Sequence, residues 1–147
     1  VINTHRDARH PFEVIMVPVA GIAGFLQLVT GQAPSNIAAA ASPAVQILWS
    51  LLVLVGSIIC TTGILWRDEA TGLYLEIAGL VGIAFGLMAY ALSIFIVSQA
   101  PLASFAAPFC LAFSAACFWR CWQCIRVIYK AVIKADQAVK RAGRGET

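Results

Sequence analysis

Two long tracts of this chain contain no Lys, Arg, Asp or Glu. One runs from Val14 to Trp66 and the other from Ile77 to Trp119. A water-soluble surface cannot be built from stretches like these, whereas lipid tolerates them. Only 12% of the 147 residues are charged, about half the roughly 25% usual in soluble domains. The length suits one domain, with no room for a soluble domain beside the apolar segments.

A helix rises about 1.5 Å per residue, so a hydrocarbon core of about 30 Å needs about 20 apolar residues. Four segments meet this: about Phe12 to Val29, Ala44 to Trp66, Leu73 to Val97 and Leu102 to Trp122. The predicted fold is all-α, a four-span transmembrane bundle forming one domain over residues 1–147, with a basic amphipathic helix in the tail from about 123 to 147. The first segment is the weakest, since it contains Pro18, Gly21, Gly24 and Gln27. Pro18 should kink it, and Pro108 poses the same question early in the fourth. A rival reading makes the first segment a signal peptide with its basic start at His5 to His10 and its cleavage zone at Ala38 to Ala41. The apolar run ends far from Ala38, which favours a span.

The connections Arg67 to Gly72 and Ser98 to Pro101 are short and force antiparallel neighbours. The longer, uncharged stretch Thr30 to Pro43 contains Ser35-Asn36 before Ile37 to Ala41, a pattern for a short interfacial helix capped by Ser35. Pro43 suits the first turn of the second span.

Lys and Arg fall in three places: Arg6 and Arg9, the connection with Arg67, and the stretch from Arg120 to Arg144. With four spans those places share one face, and the opposite connections carry no charge. The positive-inside rule then puts both termini in the cytoplasm, for a bacterial inner membrane. Trp66, Tyr74, Trp119 and Trp122 gather near the same boundary, as interfacial rings do. Asp68 and Glu69 complement the positive end of the third helix's dipole.

Small residues mark the faces expected to pack. Gly72, Gly79, Gly82, Gly86, Ala89 and Ser93 fall on one stripe of the third span, roughly 100° wide, and Gly82-x-x-x-Gly86 has the spacing that lets membrane helices approach closely. The first span offers Ala20, Gly21, Ala23 and Gly24. Packing within one chain is the simpler use of either stripe, and packing between chains is the other. On the fourth span Cys110, Cys117, Cys121 and Cys124 return to one face within about 60°, with Ala103 and Ser114 on or beside it. Cys121-x-x-Cys124 is a known ligand spacing. Four ligands are usual for zinc, however, and both histidines, His5 and His10, are N-terminal. The cysteines are therefore read as small packing residues, kept reduced by the cytoplasm. No cofactor is expected.

Glu13 and Glu76 lie at the edges of spans, and an ionisable group in a membrane is a functional suspect. Glu76 is placed to reach the headgroups or to pair with Arg67 or Arg120. Arg120 is expected to snorkel outward. No charge sits near the bilayer centre, which counts against an ion-coupled transporter. Beyond Trp122, Ile125, Ile128, Val132 and Ala135 recur at three- and four-residue steps. Arg126, Lys130 and Lys134 form a row on another face, and Asp136 supports Lys140. With Arg141, these cations suit anionic headgroups or a partner. The last residues, 142–147, are expected to fray.

Short apolar spans, Ala/Gly/Ser-rich faces (Gly79 to Ala89, Ala103 to Cys117), minimal connections and a basic tail (Lys130 to Arg144) resemble those of small phage-encoded membrane proteins of the holin type. Val1 is what a literally translated GTG start in a high-GC genome would give. The resemblance is one of composition over the whole chain and transfers no functional residue. It implies self-association into a membrane-permeabilising lesion. The alternatives are a structural or accessory subunit of a larger membrane complex, and a small channel or transporter for a neutral substrate. Neither an enzyme nor a nucleic-acid binder is expected: there is no Ser/His/Asp set, no metal motif inside a span and no phosphate-binding glycine loop.

Overall fold

The computed structural model describes residues 11–31, 42–66, 68–97 and 105–143. These form four α-helices and, among the described residues, no strand: α1 (Pro11–Thr30), α2 (Pro43–Leu65), α3 (Glu69–Val97) and α4 (Ala106–Gly143). The expected helix over Ile37 to Ala41, the N-terminal cations and Arg67 lie outside the described residues.

Local chemistry sets the ends. α1 runs unbroken through Pro18, so the expected kink does not interrupt the helix. It stops at Gly31, whose positive φ of 62° lets its N–H reach back to the Gln27 carbonyl at 3.1 Å, a left-handed cap open to glycine at little cost. Pro43 opens α2, where its missing N–H is one of the unpaired donors anyway. Asp68 caps α3: its Oδ2 accepts from the Thr71 amide at 3.1 Å and from the Thr71 hydroxyl. These bonds, the hydroxyl's first and the amide's second, hold the carboxyl below the ordinary aspartate value. α4 begins at Ala106, a few residues later than the expected Leu102. Pro108 falls in its first turn, where proline is tolerated.

The fourth helix runs on into the basic tail, as the three- and four-residue steps beyond Trp122 lead one to expect. Its 38 residues span about 57 Å, so the apolar segment and the basic tail are one rod. Between Pro108 and Gly143 there is neither proline nor glycine to bend it.

α1 packs on α2, α2 on α3, and α3 on α4. Val17, Cys60, Leu80, Ile83, Ala84, Cys117 and Cys121 form a core drawn from all four helices. Many large apolar side chains point the other way: Ile22, Phe25, Leu48, Ile58, Phe85, Leu92 and Ile96 are exposed, while Gly, Ala, Ser and Cys make up much of the interior beside Val17, Trp49, Leu80 and Ile83. That reverses the pattern of a water-soluble bundle.

α2 and α3 are each long and apolar enough to cross a membrane, over Pro43–Leu65 and Ala70–Ile96. α1 offers a shorter apolar run, Val14–Thr30. In α4, Arg120 and Gln123 dilute the apolar character of the packed half.

Candidate functional site

The third helix carries two working faces. On the first, glycines of α2 and α3 meet backbone to backbone. A Cβ at Gly56 would come within 2.8 Å of the Gly79 carbonyl, and one at Gly63 within 2.7 Å of the Gly72 carbonyl. A Cβ at Gly79 would strike the Cys60 backbone nitrogen, and one at Gly86 would lie 3.1 Å from the Trp49 carbonyl. Gly82 faces Gly56, with room to spare, and Ala89 is half-buried further along. The α3 stripe is thus spent inside the chain. Its counterpart, Gly56 and Gly63 seven residues apart on α2, was not singled out from the sequence; the seven-residue return of glycine to one helix face was the signal. On α1, Gly24 approaches the Ser50 carbonyl in the same way, whereas Gly21 makes room for the Ser57 side chain.

The second face of α3 meets α4 through polar side chains. Ala107, Cys110, Ser114, Cys117, Cys121 and Cys124 are all buried, at alternating three- and four-residue steps that keep one stripe on the partner helix. Ser114 Oγ donates to the Ala84 carbonyl at 3.0 Å. Cys121 Sγ lies 3.8 Å from the Ile77 carbonyl. The five cysteines are free thiols and all are buried. No group of three or more His, Cys, Asp or Glu suited to a metal gathers among the described residues.

At one end of that face sits an ion pair. Glu76 is only 2% exposed, and its Oε1 accepts from Arg120 Nε at 2.9 Å and from Cys124 Sγ at 3.5 Å. Arg120 Nη1 also donates to Gln123 Oε1 at 3.4 Å. Gly63 presses against the Glu76 amide from α2, closing the far side. The expectation that Arg120 snorkels outward is therefore corrected. A carboxylate buried on the neighbouring helix at the same level outweighs the pull of the interface, because leaving it unpaired in a low-dielectric setting costs far more. Neither the cavity of about 610 Å³ beside Trp49 nor the one of about 380 Å³ between α1 and α2 is lined by Glu76 or Arg120. The pair clamps α3 to α4.

Past Ile128 the same stripe of α4 outruns α3. Every described side chain from Tyr129 to Arg141 is exposed. Ile125, Ile128, Val132, Ala135 and Val139 continue the alternating steps, and at 100° per residue they fall on the side that α3 covers higher up. Arg126, Lys130, Lys134, Lys140 and Arg141 lie on the opposite side. Arg126 stacks on the Trp122 ring at 4.2 Å, and Lys140 pairs with Asp136 at 2.6 Å. Trp66, Tyr74, Trp119 and Trp122 are exposed near this end of the bundle.

No protein-family model, curated protein or solved structure matches this chain.

Proposed function

We propose that this chain is an accessory subunit of a membrane complex, four helices in the bilayer and the far half of α4 offered to a partner's helix on the water side. One observation carries this: the α4 stripe is packed as far as the half-buried Ile128, and from Tyr129 on every described side chain is exposed. Membrane placement is supported by the large apolar side chains facing outward on every helix. The cytoplasm as the water side follows from the basic clusters.

The stripe favours an unlike partner over a second copy. Copies sharing a bilayer share an orientation, so two α4 helices would pair in parallel. A second α4 laid along Ile125 to Val139 would continue straight into the place that α3 occupies. A helix that arrives from the water and ends beneath α3 meets no such obstacle. The basic side remains free for anionic headgroups near Arg126 and Lys130.

A photocrosslinking residue placed at Val132 in the full-length protein should capture another protein in cells. The same residue at Lys130, on the opposite side, should not. Val132→Glu should abolish capture at a neighbouring seam position. Adducts of the chain with itself, or with lipid only, would overturn the subunit reading.

The holin-like reading is the second, and the outward apolar faces of α1 and α4 support it. It requires copies to assemble through those faces, because Gly79, Gly82 and Gly86 are occupied within the chain. On induction in a bacterium, collapse of membrane potential would favour it. Normal polarisation and growth, with the protein confirmed in the membrane, would remove it.

A further inference from the structure

At the end of the bundle opposite Glu76, α1 and α4 stand apart across α2 and α3. Between all four helices lies a cavity of about 610 Å³, within the usual size of a small-ligand site. Small residues such as Ala23, Gly24 and Gly86 make the room. Aromatic rings supply much of the wall: Trp49 and Tyr90 meet edge to face at 5.3 Å, and Phe105 stacks on Phe109 at 6.0 Å. No charged side chain is among its lining residues.

Two of the lining side chains carry unanswered donors. Trp49 is 2% exposed, and its indole Nε1, like Gln27 Nε2, is buried without a hydrogen-bond partner among the described residues. In a bilayer there is no bulk water to answer such a donor, so an orphan is costly. Ser50, beside them, is already satisfied by the Gln46 carbonyl at 2.9 Å. The wall thus presents aromatic surface and no ion, with two unpaired N–H donors packed just beneath it.

We propose that this cavity binds a neutral, hydrophobic molecule carrying a carbonyl-type oxygen, which accepts from Gln27 and Trp49 as these side chains turn toward it, while its apolar body lies among the rings. An anion would find no cation to balance it, and a cation no carboxylate. The same chemistry comes from two sources: the ester carbonyl of a glycerolipid, or a flat ring ketone such as a quinone on an alkyl chain.

Trp49 reports on its own site. The other three tryptophans, Trp66, Trp119 and Trp122, belong to the opposite end, so replacing them with Phe leaves a single emitter. The purified triple variant, in a non-ionic detergent, is titrated with decyl-benzoquinone, with dioleoylglycerol and with dodecylbenzene, which lacks the oxygen. Saturable change in Trp49 emission with either oxygen-bearing probe supports the site, and the probe that saturates first identifies the source. Gln27→Leu, which keeps the bulk and removes the donor, should weaken that binding about tenfold, the scale of one hydrogen bond. Ala23→Phe, which fills the space from α1, should abolish it, with helicity and detergent-complex size unchanged. Equal binding of dodecylbenzene, unchanged binding by folded Ala23→Phe, or no saturation with either oxygen-bearing probe would overturn the proposal.

Discussion

The two faces of α3 hold their neighbours by opposite means. Toward α2 it offers almost nothing, and the absence of side chains lets backbones touch at Gly56–Gly79 and Gly63–Gly72. Toward α4 it offers directed polar contacts, with Ala84 accepting from Ser114 and Glu76 accepting from Arg120. The first interface depends on shape and has no slack, since backbone cannot move aside as a side chain can. The second is tied at discrete points, and removing a tie strands the group left behind. For the membrane placement proposed above, where apolar surface gives helices little reason to pair, both solutions are needed. One brings dispersion contacts to full density and the other fixes level and rotation.

Substitutions on each face test that contrast. The largest effect is expected at the shape-dependent face. Gly79→Leu should cost about 3 kcal/mol, the upper part of the usual range for overpacking, because its Cβ meets the Cys60 and Gly56 backbones. Reversible unfolding in mixed micelles measures it; a loss below a few tenths would show the α2–α3 contact to be looser than drawn.

Next comes the clamp. Removing one partner of a fully buried pair costs about 3–5 kcal/mol, but the Arg120 side chain is 17% exposed and is able to turn toward water once freed. Glu76→Leu should therefore cost about 2 kcal/mol, discounted from that range. Adding Arg120→Leu should recover most of it, because the stranded charge goes too. A double-mutant cycle reads the coupling, and additive losses would mean the two side chains do not act as a pair.

Ser114→Ala is expected to cost about 0.6–1 kcal/mol, the range for a hydrogen bond between membrane helices. The Ala84 carbonyl keeps its helical partner, so nothing is left unpaired. A loss as large as that at Glu76 would mean that Ser114, not the ion pair, sets the level of α4.

The smallest effect lies outside both faces. Asp68 has its carboxyl held below the ordinary aspartate value in the folded chain. A depressed folded value means the cap is fully present above the unfolded value of about 3.9 and is lost as pH falls through the folded one. Hydrogen exchange at Ala70 to Gly72, corrected for intrinsic rate, should show the first turn of α3 opening below about pH 4 while the rest holds. In Asp68→Asn the pH step should vanish.

The helices were legible in the sequence because uncharged tracts and turn residues are local signals. Pro43 and Asp68 act within a few residues of themselves, and the Gly79–Gly86 and Cys110–Cys124 stripes follow from helical period alone. The fate of Arg120 was legible only as one option among several, since pairing of Glu76 with Arg120 stood beside Arg67, the headgroups and an outward snorkel. A cation near a span end reads as a snorkel until a second helix places a buried carboxylate at its level, and that level depends on how α3 and α4 slide past each other. Gln27 and Trp49 were hidden for the same reason, since a polar atom becomes an orphan only when neighbouring helices close around it.

By itself the sequence determined that this chain is helical, apolar along most of its length and basic at one end, because those properties belong to single segments. Tertiary structure alone decided which small faces meet inside the chain, that Arg120 turns inward, that a cavity opens beside Trp49 and that the α4 stripe runs on uncovered. Each of these is a relation between helices far apart in sequence, and no local periodicity carries the height or rotation at which two rods come to rest.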